Sequence, residues 1–138
     1  MNGVYDQQII ELRSLFEQKT GAQVKDLFYD KNDKLTIVVE AGEMGKALGK
    51  GKTHLFTLQE QLQRKIRLVE YVDDRIEMIK RFIAPLQVTS MDDQGEIVVL
   101  HGPELRTNGL LIGKQARNLR NLEWMVQKFH AIKEIKVV

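Results

Sequence analysis

The chain contains no cysteine. Disulfides, thiolate metal sites and a cysteine nucleophile are therefore excluded. No stretch of 18 apolar residues occurs, so no transmembrane helix or membrane partner is expected, and a cytoplasmic location is the default. The three histidines, His54, His101 and His130, lie far apart in sequence without metal-ligand spacing. No Gly-x-Ser-x-Gly or comparable nucleophile motif exists. No catalytic residue, metal ligand or cofactor is therefore expected, and the chain does not read as an enzyme. Aromatic residues make up 7%, few for a protein that stacks bases. Charge of one sign is also scarce, with a net charge of +2.

What is present is a repeat. Leu48-Gly49-Lys50-Gly51-Lys52 and Ile112-Gly113-Lys114-Gln115-Ala116 share an aliphatic-Gly-Lys signature 64 residues apart. Leu55 and Leu58 after the first copy fall on Leu119 and Leu122 after the second, and Gly45 falls on Gly109. In the preceding strand the offset drops to 61, where Ile37-Val38-Val39 meets Val98-Val99-Leu100. The chain thus reads as two copies of one module, residues 1–72 and 73–138. Basic residues gather around the repeated loops. Lys46, Lys50 and Lys52 lie between Met44 and Gln59 with no acid among them, and Arg106, Lys114, Arg117 and Arg120 lie likewise between Leu105 and Leu122. Such focused clusters steer a polyanion without a large net charge.

Periodicity and capping signals give each half the order helix–strand–strand–helix–loop–helix–strand. In the first half a helix is expected over Asp6–Lys19, stopped by Gly21. Strands over Val24–Tyr29 and Leu35–Val39 flank the turn Asp30-Lys31-Asn32-Asp33. A short helix over Glu43–Leu48 follows, then a helix capped by Thr53 and running to Gln63, and a strand over Ile66–Tyr71. In the second half Asp73 or Asp74 caps a helix over Arg75–Phe82. Strands are expected at Leu86–Met91 and Glu96–Leu100, joined by Asp92-Asp93-Gln94-Gly95. A short helix from Pro103 to Leu111, a long one over Arg117–Phe129 and a strand over Ile135–Val138 complete the copy. The connection is too short for a flexible linker, so a fixed relation of the halves is expected.

An aliphatic-Gly-Lys-x-x loop between two helices, in this element order, resembles the type II KH domain. The resemblance implies an α+β fold of two tandem modules, each a three-stranded sheet packed by three helices. In that family the loop reads Gly-x-x-Gly and clamps the backbone of about four nucleotides. Two such modules in so short a chain resemble the archaeal NusA-like proteins. Gly42-Glu43-Met44-Gly45-Lys46-Ala47-Leu48-Gly49-Lys50 is similar to that family's first-module stretch, and Leu68-Val69-Glu70-Tyr71 with Ala84-Pro85 to its passage between modules. This resemblance implies a single-stranded RNA-binding factor of transcription elongation, termination or antitermination, with RNA polymerase as a candidate protein partner. The RNA-binding residues would be Lys46, Gly49, Lys50, Gly51 and Lys52 in the first module. In the second they would be Arg106, Gly113, Lys114, Gln115, Ala116, Arg117 and Arg120. Ala47, Leu48, Leu111 and Ile112 would be groove candidates, with core packing as their ordinary alternative. The second loop is the better candidate because Arg117 and Arg120 follow it. Phe56 and Trp124 are expected to pack, and His54 to be a surface histidine.

Both loops depart from the family pattern at the fourth position, Lys52 and Ala116. Glycine there would permit a positive φ, and Gly51 is expected to compensate by shifting the first turn one residue. An alternative therefore stays open, a KH-fold docking module for polymerase or a ribosomal particle with little RNA affinity. A nucleotide-binding enzyme is disfavoured. Gly51-Lys52-Thr53 imitates the end of a P-loop, but the glycine that motif needs would stand at Lys46.

Overall fold

The computed structural model describes the backbone of residues 3–138 and the side-chain surroundings of residues 7–138. The chain divides into two compact units, Met1–Tyr71 and Val72–Val138. The first runs α1 (Gly3–Thr20), β1 (Val24–Tyr29), β2 (Leu35–Val39), α2 (Met44–Leu48), α3 (Thr53–Leu62) and β3 (Ile66–Glu70). The second runs α4 (Arg75–Ile83), β4 (Ser90–Asp93), β5 (Ile97–His101), α5 (Leu105–Ile112), α6 (Arg117–Gln127) and β6 (Glu134–Val137). The architecture is α+β, two three-stranded sheets with the tandem KH-type order read from the sequence.

In both sheets the middle strand is antiparallel to the strand before it in sequence and parallel to the one after. A parallel partner needs a long crossover. Here it consists of the two helices and the glycine loop between them, so the sheet fixes both ends of the loop's support. In the first unit Leu35, Ile37 and Val39 of β2 pack on Phe16 of α1, Ala47 of α2 and Leu58 of α3. The opposite face of β2 carries buried Thr36, whose hydroxyl accepts from Arg67 at 3.0 Å, while Arg67 also holds buried Asp30 at 2.6 Å. Asp30 in turn accepts from the backbone of Asn32 and Lys34 and so closes the β1–β2 turn. Gly21, at φ 74°, ends α1 with its N–H on the Glu17 carbonyl at 2.9 Å.

In the second unit the buried residues come from all three helices and the sheet: Met78, Ile79 and Phe82 of α4, Leu111 of α5, Leu122, Met125 and Val126 of α6, and Val98, Leu100 and Ile135. Asp74 caps α4, accepting from the N–H groups of Ile76 and Glu77. The Arg75 guanidinium forks onto Asp93 at 2.6 and 3.1 Å, and this bond holds the Asp93 carboxyl below its ordinary pKa.

Several expected boundaries move. Leu86–Thr89 is not strand; β4 starts at Ser90 because Leu86 turns back, its N–H on the Ile83 carbonyl at 2.9 Å. Asp92 and Asp93 belong to β4, and the reversal falls on Gly95 and Glu96, where Gly95 takes φ 85°. Pro103 precedes α5 rather than opening it. Thr53 is the first residue of α3, not its cap: its backbone is already helical, and its hydroxyl donates back to the Lys50 carbonyl. The cap position is Lys52. Among the described residues, no helix is long and apolar enough to cross a membrane.

Candidate nucleic-acid interface

The two loops have the same backbone. Gly49 sits at φ 73°, ψ 173° and Gly113 at φ 73°, ψ 174°. Two residues on, Gly51 (63°, 26°) matches Gln115 (55°, 33°), and Lys52 (61°, 25°) matches Ala116 (61°, 23°). Each loop is thus a glycine followed by a single short turn, Lys50–Lys52 or Lys114–Ala116, whose last residue, the fourth of the loop, is left-handed. Gly51 therefore does not shift the turn. It occupies the place that Gln115 fills in the second copy, and the fourth position stays left-handed with a side chain on it. Left-handed backbone costs a non-glycine residue about 1 kcal/mol or more, so the first loop carries this strain once, at Lys52, and the second twice, at Gln115 and Ala116.

A clasp absent from the sequence reading holds each loop. His54 Nδ1 lies 3.0 Å from the Lys46 carbonyl and donates to it. At the matched place Asn118 Nδ2 donates to the Leu110 carbonyl at 2.9 Å. Each side chain reaches from the helix after the loop to the helix before it and fills the space beside the first glycine. A Cβ on Gly49 would come within 2.7 Å of the His54 ring, and one on Gly113 within 2.7 Å of Asn118. His54 is therefore part of the loop's architecture. The signal that could have found it is the same 64-residue offset that pairs the loops.

The cations differ between the copies. Lys50 and Lys52 are exposed on the first loop, and among the described residues their ammonium groups make no ion pair or hydrogen bond. Lys46 is less available, lying 3.4 Å from Glu43. The Gln23 N–H, ahead of Lys46, holds the Glu43 carboxyl below its ordinary pKa. In the second copy Lys114 and Arg106 are likewise exposed and, among the described residues, unpaired, and Arg117 is exposed at the start of α6. Arg120, expected to strengthen the second loop, is engaged elsewhere. Its guanidinium holds both carboxylate oxygens of Glu123 at 2.7 Å. Buried Glu123 accepts the Ile135 N–H of β6 at 2.7 Å. The hydrogen bond from Arg120 to Glu123 raises the arginine's pKa above its already high ordinary value.

The first module does the same work with neutral groups. Gln59 Oε1 accepts the Ile66 N–H of β3 at 2.9 Å. The residue three before it, matching Arg120, is Phe56. With no charge on Gln59 to balance, Phe56 makes no such bond and stands 57% exposed on the first turn of α3. This overturns its expected role as a packing residue.

Of the groove candidates, Ala47 and Leu111 are core residues, while Leu48 and Ile112 are half-buried beside the loops. Trp124 is half-buried, with the Lys128 ammonium 4.6 Å from its ring centroid. Among the described residues no cluster of His, Asp and Glu is arranged to hold a metal ion.

Comparison with known proteins places this geometry. No family model matches the chain. A probable transcription termination protein NusA from Methanococcus vannielii is 31% identical over 128 residues, covering 91% of this chain and 73% of that protein. Proteins of the same name from Methanocaldococcus jannaschii (26% identity, 89% of this chain and 68% of that one) and Halococcus morrhuae (25% identity, 90% of each) also match. Among solved structures, the crystal structure of APE1850 superposes with a TM-score of 0.68 at 24% identity, over 94% of this chain and 96% of that one, which establishes the likeness of fold. With a relative above 30% identity matched over most of both chains, and with the doubled module in place, this chain belongs to the archaeal NusA family of probable transcription termination proteins.

Proposed function

We propose that this chain is a single-stranded RNA-binding factor acting in transcription elongation, termination or antitermination, and that its two glycine loops clamp the RNA backbone. The observation that carries the reading is the matching loop backbone in two copies, each presenting exposed cations beside the start of a helix. Gly49 and Gly113 set the dihedral angles on which each loop turns. The N-terminal ends of α3 and α6 supply partial positive charge, and Lys50, Lys52, Lys114 and Arg117 add full charges.

Fluorescence anisotropy with labelled single-stranded RNA at two salt concentrations tests this. Affinity should fall with salt, by about 0.7 log units per log unit of salt for each phosphate contacted. Lys50→Asp/Lys52→Asp and Lys114→Asp/Arg117→Asp should each weaken binding and flatten that slope. Binding indifferent to both variants would remove the clamp reading.

A second reading attaches to the second module. Its helix α5 exposes Leu105 (89%) and Leu110 (51%), apolar side chains suited to a protein partner. RNA polymerase is the partner this reading nominates. It predicts that Leu105→Asp/Leu110→Asp reduces capture of polymerase while RNA affinity is unchanged.

A further inference from the structure

The exchange of Arg120 and Glu123 for Phe56 and Gln59 has a functional side. In the second module the position three residues into the post-loop helix is occupied by a cation that balances a buried carboxylate. In the first, the neutral Gln59 receives the strand N–H unaided. Position 56 is thereby released from structural duty, and an exposed phenyl ring stands there. An exposed ring interrupts hydration without any packing gain, so its placement matters.

Helix side chains lean toward the helix N-terminus and cover the preceding turn. Phe56, in the first turn of α3, is therefore directed toward the loop that carries Lys50 and Lys52. The ammonium groups of those two lysines have no partner among the described residues, and no acid occurs between Met44 and Gln59. An exposed flat apolar face one helical turn after two exposed lysines complements a nucleotide, whose base presents a π-face and whose phosphate carries the charge. A protein segment complementary to the same place would need both an apolar group and acids.

Resting on the RNA reading above, we infer that Phe56 is a base-stacking residue, so that the first module contacts both base and backbone while the second contacts backbone alone. Stacking on an aromatic side chain is indifferent to base identity. The first module should therefore distinguish a base-bearing strand from a bare ribose-phosphate backbone without choosing among sequences.

The test compares anisotropy titrations of the full chain with a fluorescein-labelled RNA decamer and with the same decamer carrying abasic sites throughout its centre. Wild type should prefer the base-bearing strand. Phe56→Ala should lose about 5- to 150-fold in affinity for it, the range of a single stacking contact, and should bind the abasic strand as wild type does. Phe56→Tyr should keep the preference. The transplant Phe56→Arg/Gln59→Glu, which installs the second module's pair, should keep the fold by circular dichroism and lose the preference. If Phe56→Ala binds both strands like wild type while Lys50→Asp/Lys52→Asp loses affinity, stacking is overturned and the clamp stands. If the lysine variant and Lys114→Asp/Arg117→Asp also bind as wild type does, or wild type binds neither strand, both readings fall.

Discussion

Position for position, the two modules keep a geometry and change the chemistry that produces it. In the second, a buried glutamate receives the last strand's N–H and an arginine balances it; in the first, a glutamine receives that N–H and nothing needs balancing. One loop is clasped by an imidazole, the other by an amide. Lysine and alanine take the same left-handed dihedrals. The backbone path between the helices is the invariant, set by the first glycine and by the crossover that joins two parallel strands. Side chains are interchangeable wherever they supply the same donor or acceptor. Freed positions are where the copies diverge in what they show to solvent.

The comparison breaks most severely at the first glycine. Gly49→Ala and Gly113→Ala should each cost about 3 kcal/mol, because φ 73° with extended ψ is nearly closed to residues with a Cβ, and the new methyl collides with the clasp. Urea unfolding by circular dichroism measures the loss. In an Asn118→Ala background the Gly113→Ala cost should shrink, since the collision is gone and only the dihedral strain remains. Equal costs in both backgrounds would deny the clasp its steric part.

A smaller effect tests the exchanged pair. Arg120→Phe leaves buried Glu123 without its cation and should destabilise by about 1 kcal/mol, less than for a fully buried pair because the guanidinium side chain is half exposed. Adding Glu123→Gln should recover most of this, reproducing the first module's solution. Fluorescence of Trp124, the single tryptophan, reports on this unit directly. Non-recovery would mean that the two pairs are not equivalent.

The smallest effect sharpens the likeness of the loops. Lys52→Gly and Ala116→Gly should each stabilise by about 0.5–1 kcal/mol, relieving left-handed strain less the added freedom of glycine in the unfolded chain. The gains should be similar, because the dihedrals are. Markedly unequal gains in thermal unfolding would show that one loop relaxes differently.

The repeat, the sheet strands of the first half and the order of elements were legible because local signals agreed. Leu35–Val39 is a continuous β-branched and aliphatic run, and Asp74 precedes a helix with a strong apolar stripe. Leu86–Thr89 misled because Leu86 and Val88 alternate as a strand does, while the stretch reaches the sheet at its end, through the Thr89 N–H on the His101 carbonyl. Thr53 misled because a hydroxyl at a helix start reads as a cap, and only tertiary geometry shows it donating backwards. The clasps and the Phe56 exposure depend on which helix face meets the next strand. Sequence periodicity does not settle that for a helix of ten residues.

The clasp bears on how this loop is recognised. Its fourth glycine is demanded once, by a dihedral angle that lysine and alanine both tolerate here. Its first glycine is demanded twice, by dihedral angle and by an occupying side chain. A pattern requiring both glycines passes over both copies. One that asks for the first glycine, and five residues later for a histidine or asparagine able to reach back to a carbonyl, finds Gly49 with His54 and Gly113 with Asn118.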